Sequence, residues 1–245
     1  MAQPTHKNSA VTKVTGGKNV IHSPWPRPYV TVELVAVTVV DSDLKALFAR
    51  RGEAPHRGSW ALPGGFVRVG EGLDQGEDLE AAARRELLEQ AGLVAGGGAM
   101  EQVGAFGRPY RDPRGRVISV AWLVPIPPDR AAGARPGGAV DELRWTSLKE
   151  RPRLAFDHDQ ILEGALDRLR ARLDASAMAF ELVPATFTVA DLRGVYEAAL
   201  RTHYDAANFR RRFKRLVEDG VIEVAPGRRQ TRSKPATVYR VHREA

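Results

Sequence analysis

Hydrophobic and polar positions predict a definite order of strands and helices along the first two thirds of the chain. Residues 29–40, YVTVELVAVTVV, are rich in β-branched side chains and predict a strand; residues 44–50, after an Asp-Ser-Asp turn, predict the second arm of a hairpin. A glycine-rich stretch leads into a helix predicted over residues 77–91, which Gly92 ends. Three further strands are predicted at residues 100–107, 116–126 and 142–148.

A second helix is predicted from Asp157, because apolar side chains recur there at helical spacing. They are Ile161, Leu162, Ala165, Leu166 and Leu169. The order strand, helix, strands, helix describes an α+β domain. Residues 126–141 contain so much glycine and proline that we expect a mobile loop without regular structure. Residues 174–184 mark the passage to a second unit.

The C-terminal region follows its own pattern. Thr188 and Asp191 have capping-box spacing at the start of a helix with a continuous apolar stripe. A second helix begins at Asp205, its expected N-cap, and ends at Gly220. Residues 221–242 predict a β-hairpin with a long basic loop. Helix, helix and hairpin form the outline of a winged helix-turn-helix.

The composition is that of a soluble globular protein, with 43% hydrophobic and 27% charged residues among 245. The absence of cysteine excludes disulfides and thiolate metal sites. No apolar run reaches the roughly 20 residues of a membrane span, and the polar N-terminus lacks the apolar segment of a signal peptide. We therefore expect a cytoplasmic protein without membrane contact, in which residues 1–27 form a flexible tail.

The net charge of +7 is concentrated toward the C-terminus. Residues 180–245 contain 13 arginines and lysines against 8 aspartates and glutamates, which leaves +2 for the preceding residues. A basic C-terminal region indicates a polyanionic partner such as nucleic acid, although such charge also serves solubility alone.

The first predicted helix carries polar groups on its inward face. With Leu79 at the centre of the buried stripe, Glu86 and Gln90 lie roughly 20° from that centre and Glu89 roughly 80°, at about 100° per residue. Carboxylates in such a place repel one another and lose hydration unless they are paired or bind metal. The pattern therefore predicts a metal or ligand site, with an internal salt bridge to Arg85 as the structural alternative.

The same segment resembles the Nudix box, commonly written G-x5-E-x7-R-E-U-x-E-E-x-G-U, in which U is aliphatic. The matching residues are Glu77, Arg85, Glu86, Leu87, Glu89, Gly92 and Leu93. The flanking sequences RGSWALPGGFV and RDPRGRVISVAWLV resemble the branch of the family that handles ADP-ribose. The resemblance implies a Nudix-type α/β/α sandwich, and in active members a Mg²⁺ or Mn²⁺ ion held by these glutamates polarises a diphosphate.

Two departures from the motif alter this expectation. Gln90 replaces the second glutamate of the Glu-Glu pair, and a neutral amide lowers the ligand charge that a hard divalent cation requires. Eleven residues, rather than five, separate Gly65 from Glu77, because GEGLDQ and GEDLEA form a local duplication. Together they predict a site that binds its nucleotide without hydrolysing it.

The residues of this degenerate helix are Arg85, Glu86, Glu89 and Gln90. Metal binding at Glu86 and Glu89 is expected to be weak or lost, so that no cofactor is required and Mg²⁺ or Mn²⁺ at most accompanies the nucleotide. The candidate nucleotide contacts are Arg51, Phe66, Arg68, Arg85, Glu86 and Glu89. Glu142 is a candidate substitute base if the chain is an active enzyme.

The helix that begins at Asp205 has a basic outer face. With Phe209, Phe213 and Leu216 against the core, Arg211 points outward, and arginine and asparagine can read guanine and adenine edges. The candidate DNA contacts on the helix are Asn208, Arg210, Arg211, Arg212, Lys214 and Arg215, of which Arg210 and Arg212 lie nearer the core seam. The hairpin loop adds Arg228, Arg229, Arg232 and Lys234, which suit backbone or minor-groove contact.

The two regions together are similar to the bacterial Nudix-related transcriptional regulators of NAD metabolism, the NrtR family. The likeness covers residues 28–243 and includes NFRRRFKRLVEDGVIE and LAFDHDQILEGALDRLR. It implies a homodimeric regulator of NAD synthesis or salvage genes, commonly a repressor, that binds double-stranded operator DNA and responds to ADP-ribose or a related nucleotide. The predicted domains are residues 28–155 for nucleotide sensing, 156–179 for a helix and linker, and 180–245 for DNA binding.

Two other functions are weighed against the regulator. One is an active ADP-ribose pyrophosphatase with an accessory DNA-binding domain, which the retained Glu86 and Glu89 favour. The other is an RNA-processing Nudix protein. The basic hairpin permits it, but no run of aromatic residues for base stacking accompanies that hairpin.

Overall fold

The computed structural model describes residues 11–15, 18–22, 26–70, 76–96, 100–174, 177–230 and 234–242. The strands are β1 (Val11–Thr15), β2 (Lys18–His22), β3 (Tyr29–Val40), β4 (Asp43–Arg51), β5 (Trp60–Ala61), β6 (Gly64–Phe66), β7 (Glu101–Phe106), β8 (Val117–Pro125), β9 (Val140–Ser147), β10 (Ile222–Arg229) and β11 (Ala236–Val241). The helices are α1 (Leu79–Ala91), α2 (Pro128–Ala131), α3 (His158–Arg172), α4 (Val189–Leu200), α5 (Ala206–Glu218) and a 3₁₀ helix, Ala177–Leu182.

A seven-stranded mixed sheet forms the centre of the N-terminal domain. Its strand order is β5-β4-β3-β8-β7, with β6 also paired to β3 and β9 to β4. Strands β3 and β8 run parallel, with Tyr29 opposite Val117, whereas β3 and β4 form the predicted antiparallel hairpin. Its two turn residues, Asp41 and Ser42, have φ angles of 53° and 58°, typical of a two-residue primed turn.

Strand β3 is buried on both faces of the sheet. Val35 and Val37 belong to the apolar cluster that contains α3, and Leu34 and Ala36 belong to the cluster that contains α1. A strand covered on both sides needs a continuous apolar sequence, which explains the run of β-branched residues. The expected α/β/α sandwich is confirmed.

Helices α4 and α5 and the β10–β11 hairpin form the predicted winged helix-turn-helix. Thr188 Oγ1 accepts a hydrogen bond from Asp191 N, and Asp191 Oδ2 accepts one from Thr188 N, so the capping box is present despite its aspartate. The carboxylate of Asp205 accepts a hydrogen bond from Asn208 N and caps α5 as predicted. Among the described residues, no helix is both long and apolar enough to cross a bilayer.

The segment between the two domains is part of the core. In its 3₁₀ helix, the side chains of Met178, Ala179 and Leu182 are buried. The apolar cluster that includes them extends from Phe48 on β4 to Phe213 on α5 without interruption. The C-terminal domain therefore shares a hydrophobic core with the face of the sheet that α3 covers.

The prediction that residues 126–141 lack regular structure is wrong. They contain α2 and the start of β9, and Ala131 is buried. Backbone N–H groups of Arg135 and Gly137 donate hydrogen bonds to the carbonyl oxygens of Ala91 and Gln90. This loop satisfies carbonyl groups that the end of α1 leaves without helical partners, which a composition argument does not reveal.

The tail predicted for residues 1–27 includes regular structure. Strands β1 and β2 pair in a separate antiparallel sheet, with Val11 opposite His22 and Thr15 opposite Lys18. The sequence signal for this hairpin is the Gly-Gly pair at positions 16 and 17 between two β-branched segments, a common two-residue connection. The prediction of a flexible tail is therefore wrong for β1 and β2. The other residues up to position 25 lie outside the described ranges.

Candidate nucleotide cleft and nucleic-acid interface

Helix α1 presents the residues that match the box motif. The carboxylate of Asp78 accepts a hydrogen bond from Ala81 N at 2.7 Å and begins the helix two residues later than predicted. Gly92 ends it in the left-handed region, with a φ angle of 63°.

The Arg85 side chain contacts all three glutamates of the motif. Its guanidinium pairs with Glu77 at 2.5 Å and 2.9 Å, with Glu86 at 2.6 Å and with Glu89 at 3.1 Å. The hydrogen bonds from Arg85 lower the pKa of Glu77 to about 2, and Glu77 in turn raises the pKa of Arg85. The internal salt bridge considered from the sequence is therefore present.

Gln90 ties α1 to the glycine-rich loop. Its Nε2 donates hydrogen bonds to the Gly64 carbonyl oxygen at 2.5 Å and to Glu86 Oε2 at 2.7 Å, and its Oε1 accepts one from Gly64 N at 3.2 Å. The loop approaches so closely that a Cβ atom at Gly65 would lie 2.4 Å from Glu86 Oε1. A larger residue at position 65 would force the Glu86 carboxylate to move.

These residues do not fit a divalent cation. Each carboxylate oxygen of Glu86 and Glu89 accepts a hydrogen bond from Arg68, Arg85 or Gln90. A cation would have to displace two guanidinium groups, and it would find an amide in place of a third carboxylate. Among the described residues, no group of three or more His, Asp or Glu side chains is arranged to hold a metal.

The residues on either side of the inserted segment are hydrogen-bonded to each other. Glu77 N donates to the Arg68 carbonyl oxygen at 3.1 Å, and Arg68 N donates to Glu77 Oε1 at 2.8 Å. Residues 71–75 between them lie outside the described ranges. Because Arg85 also donates to the Phe66 carbonyl oxygen at 3.1 Å, the loop retains contact with α1 on the N-terminal side of the insertion.

A cleft of about 250 Å³ opens beside Glu86 and Gln90, between the sheet and the loops at its edge. Three of the predicted ligand residues line it: Arg51, Phe66 and Glu86. Arg68, Arg85 and Glu89 do not line it, because their side chains pair with one another beside the helix. Sequence reasoning missed several lining residues, namely Glu33, Arg111, Asp112, Arg114, Phe156 and His158.

Two arginines stack on the aromatic side chains of the cleft. The guanidinium of Arg51 lies 5.0 Å from the centre of the Phe156 ring, and that of Arg114 lies 4.8 Å from the centre of Phe66. Arg51 donates from Nε to the Pro55 carbonyl oxygen and has no carboxylate partner within 4.0 Å in the described part of the chain. Burial, followed by repulsion from Arg114, lowers the pKa of Arg51. Arg114 pairs with Asp112 at 2.7 Å, so Arg51 supplies the unpaired positive charge of this aromatic wall, which suits an anionic ligand with flat rings.

The floor of the cleft contains a buried polar network. Leu62 N donates to His158 Nδ1 at 3.0 Å, so a neutral His158 carries its proton on Nε2, which faces Glu33 Oε2 at 3.7 Å. Ser119 Oγ donates to Glu33 Oε1 at 3.1 Å. Burial raises the pKa of Glu33 to about 8 and lowers that of His158 to about 3. Both groups are therefore held mainly uncharged at neutral pH.

Glu142 lies away from the cleft lining, on β9. Its carboxylate pairs with Arg144 at 2.7 Å and with Arg50 at 3.6 Å. Nothing in this placement brings it close to Glu86 or to the stacked arginines of the cleft.

Helix α5 presents a basic face to solvent, while Phe209 and Phe213 are buried as predicted. Arg210, Arg211 and Arg215 are exposed and form no ion pair with a described acidic side chain. Arg211 donates a hydrogen bond to Asn208 Oδ1, and Lys214 pairs with Glu218 at 2.9 Å. The four positions predicted to face outward are exposed, namely Asn208, Arg211, Lys214 and Arg215. Arg210, predicted nearer the core seam, is exposed as well.

Two other predicted DNA contacts have partners inside the protein. Arg212 donates hydrogen bonds to Asp174 at 2.5 Å and to the Tyr196 hydroxyl at 3.0 Å. Arg229 pairs with Asp191 at 2.6 Å and donates to the Thr186 carbonyl oxygen. The helical wheel placed Arg212 near the core seam but gave no sign of these acidic partners, which come from distant parts of the chain.

The remaining candidates lie on the hairpin, here called the wing (residues 222–241). Arg228 and Lys234 are exposed, and Arg228 has no described carboxylate partner. Arg232 lies outside the described residues. A short bridge between Phe187 and Tyr239 attaches the wing to the segment before α4.

Known proteins show similarities to both parts of the chain. The NUDIX domain family model matches residues 31–165, and the model for the NrtR DNA-binding winged helix domain matches residues 179–241. The ADPR responsive transcriptional repressor NtrR of Acinetobacter baylyi is 33% identical over 220 residues, which are 89% of this chain and 84% of the relative. An ADP-ribose pyrophosphatase of Methanocaldococcus jannaschii is 34% identical over 125 residues, 51% of this chain and 68% of that protein.

A solved structure is similar to this chain over both domains. The crystal structure of Shewanella oneidensis NrtR complexed with a 27mer DNA has a TM-score of 0.70 and 28% sequence identity. The match covers 87% of this chain and 93% of the Shewanella chain.

Proposed function

The chain belongs to the Nudix-domain family of ADP-ribose-responsive transcriptional repressors, and from this premise we propose that it binds operator DNA as a homodimer and releases it when ADP-ribose occupies the cleft. The proposed targets are genes of NAD synthesis or salvage, in the cytoplasm. The observation that carries the proposal is the presence of an arginine-lined cleft and a free basic recognition helix on one continuous apolar core.

The basic face of α5 supports the DNA half of the proposal. Arg210, Arg211 and Arg215 stand on the helix that enters the major groove in winged helix proteins, and their guanidinium groups have no described acidic partner. Arg228 extends the cationic surface onto the wing. Positive charge that is not neutralised within the protein is available to phosphates and base edges.

The cleft supports the nucleotide half. The guanidinium of Arg51, which has no described carboxylate partner, offers positive charge to a diphosphate, whereas that of Arg114 is paired with Asp112 at 2.7 Å. Phe66 and Phe156 add aromatic surface to the cleft for an adenine. ADP-ribose contains both groups and is named for two relatives of this chain.

The side-chain contacts of helix α1 favour a cleft that binds ADP-ribose without hydrolysing it. The side chains that would hold a catalytic cation are occupied by Arg68, Arg85 and Gln90. We therefore propose that the cleft senses its ligand and does not catalyse metal-dependent hydrolysis.

The test is to select an operator with the purified full chain from a random-sequence duplex library and to titrate that operator with and without ADP-ribose. AMP and NAD serve as ligand controls. We expect specific binding that ADP-ribose weakens by between about 5-fold and 150-fold, the usual range of coupling between two sites. Operator affinity unaffected by any of the three nucleotides would refute the sensing half of the proposal.

An active ADP-ribose pyrophosphatase is the second candidate, because Glu86 still lines the cleft and a pyrophosphatase relative is 34% identical. This alternative predicts release of AMP from ADP-ribose with Mg²⁺ or Mn²⁺ present. Glu86→Gln would abolish that release, whereas the sensor predicts no metal-dependent AMP release from either protein.

A further inference from the structure

Helix α3 connects the cleft to the recognition helix. Its 15 residues span about 22 Å at 1.5 Å per residue. Five of its side chains are essentially inaccessible to solvent, so the helix is held against the sheet along its length. They are Ile161, Leu162, Ala165, Leu166 and Leu169.

The first turn of α3 belongs to the cleft. Phe156 and His158 line it, and Asp157 between them pairs with Arg111 at 2.5 Å and 2.8 Å. Phe156 has a φ angle of 55°, an unusual backbone conformation for a residue with a large side chain. A ligand that stacks on Phe156 therefore bears directly on the residues that begin the helix.

The two residues that follow α3, Leu173 and Asp174, reach the DNA-binding domain. The Leu173 carbonyl oxygen accepts a hydrogen bond from the Tyr196 hydroxyl at 3.2 Å, and Asp174 accepts one from Arg212 at 2.5 Å. Arg212 also donates to the Tyr196 hydroxyl and lies over its ring at 4.4 Å. We call Asp174, Tyr196 and Arg212 the clasp.

A second contact holds α4 to the sheet independently of the clasp. Gly194 lies so close to the β3–β4 turn that a Cβ atom there would be 2.6 Å from Ser42 Oγ. Helix α4 therefore contacts the turn directly and also reaches Leu173 through Tyr196, while α5 is connected through Arg212 to Asp174, just beyond α3. A displacement of Asp174 relative to the β3–β4 turn would change the direction of α5.

Resting on the proposed function, we infer that α3 and the clasp transmit occupancy of the cleft to the recognition helix. Arg212 thereby acts as a positioning residue for α5, rather than as one more contact to DNA. The clasp couples the two sites without changing the affinity of either site alone.

The experiment removes the acidic partner and leaves the basic face of α5 intact. Asp174→Ala is made in the full chain, because the Asp174 side chain is 62% exposed and its loss should not unfold the protein. The control is Asp167→Ala on α3, because the Asp167 side chain is 75% exposed and pairs with Arg170 on the same helix. ADP-ribose affinity is measured by calorimetry, and operator affinity is measured by anisotropy with and without ADP-ribose.

We expect Asp174→Ala to bind ADP-ribose and operator about as tightly as the parent, but to lose most of the ADP-ribose effect on operator binding. The parent and Asp167→Ala should retain that effect in full. Tyr196→Phe, which keeps the ring and removes the hydroxyl of the clasp, should also reduce it. An effect of the parental size in both clasp variants would overturn the inference.

The result distinguishes failure of the clasp from failure of the proposed function. If the parent binds no ADP-ribose, or binds it without any change in operator affinity, the proposed function itself fails and the clasp fails with it. If the parent responds and both clasp variants respond equally, only the clasp is refuted.

Discussion

The side-chain amide of Gln90 donates a hydrogen bond to the carboxylate of Glu86 at 2.7 Å, on the helix where active Nudix enzymes place two adjacent glutamates. The same amide group donates to the Gly64 carbonyl oxygen. Only a side chain with both a donor and an acceptor can make the three hydrogen bonds that Gln90 makes. The substitution thus replaces a metal ligand with a connection between the helix and the glycine-rich loop.

Gln90→Glu should therefore destabilise the protein in the absence of divalent cations. The change removes the donor to the Gly64 carbonyl oxygen and sets a second carboxylate against Glu86. An unsatisfied group of this kind costs about 1–3 kcal/mol, which thermal and urea unfolding in EDTA would measure.

The matched control is Gln160→Glu, the same change on an exposed position of α3. It should leave the free energy of unfolding nearly unchanged. Equal stability of parent and Gln90→Glu in EDTA would show that the hydrogen bonds of Gln90 contribute nothing.

The buried Glu33 predicts a pH dependence of stability. Its pKa in the folded protein is about 8, above the ordinary value of 4.5, so the folded state binds a proton more tightly than the unfolded state. This contribution is fully present below about pH 4.5 and is lost as the pH rises through 8. Glu33→Gln should therefore gain stability relative to the parent between pH 6.5 and 8, by no more than about 1.4 kcal/mol per pH unit.

Above pH 6.5, the effect of Glu33 on stability can also be measured separately from that of His158. The pKa of His158 is lowered to about 3, so its own effect is confined to the range between 3 and 6.5 and has the opposite sign. Glu150→Gln, the same change on the surface, should show no such trend. A difference between Glu33→Gln and the parent that stays constant across this window would contradict the protonated state of Glu33.

Arg211→Ala should weaken operator binding by roughly 1–3 kcal/mol and relax specificity at one base pair. Its guanidinium is exposed on the outer face of α5, and Asn208 is its described hydrogen-bond partner. The measurement is a set of operator titrations in which each base pair of the half-site is varied. Unchanged affinity and specificity would show that this face of α5 does not enter the groove.

The neighbouring arginines of the wing should behave differently. Arg228 is exposed without a described carboxylate partner, so Arg228→Ala should weaken binding to all DNA sequences alike and reduce the salt dependence by about one phosphate contact. Arg229 pairs with Asp191 and donates a hydrogen bond to the Thr186 carbonyl oxygen, so Arg229→Ala should instead lower the stability of the winged domain. Hydrogen exchange of β10 and β11, with DNA titrations in several salt concentrations, separates the two effects. Indistinguishable variants would contradict the assignment of Arg229 as a structural anchor.

Much of the fold follows from local sequence signals. The apolar run of β3, the capping box of α4 and the stop at Gly92 each depend on residues close together in the chain. Errors occurred where distant segments supply the partners. Residues 126–141 have the composition of a loop, yet their N–H groups are satisfied by carbonyl oxygens at the end of α1.

The site was predictable only where a motif marks it. The box residues identified α1, and Arg51 and Phe66 were placed in the cleft by resemblance. Glu33, Arg114 and His158 come from three separate segments and meet only because β3, the loop before β8 and α3 converge at one edge of the sheet. The partner of Arg212 was equally hidden, since Asp174 is 38 residues away in sequence.

The most direct test of sensing without turnover is a single time course. Labelled operator and the purified chain are mixed with Mn²⁺, a modest excess of ADP-ribose is added, and anisotropy is followed until any hydrolysis would be complete. We predict that the operator is released at once and remains released, because the ligand is bound and not consumed. Release followed by gradual rebinding as AMP accumulates would show that the cleft hydrolyses its ligand, and the absence of any release would show that the cleft does not control DNA binding.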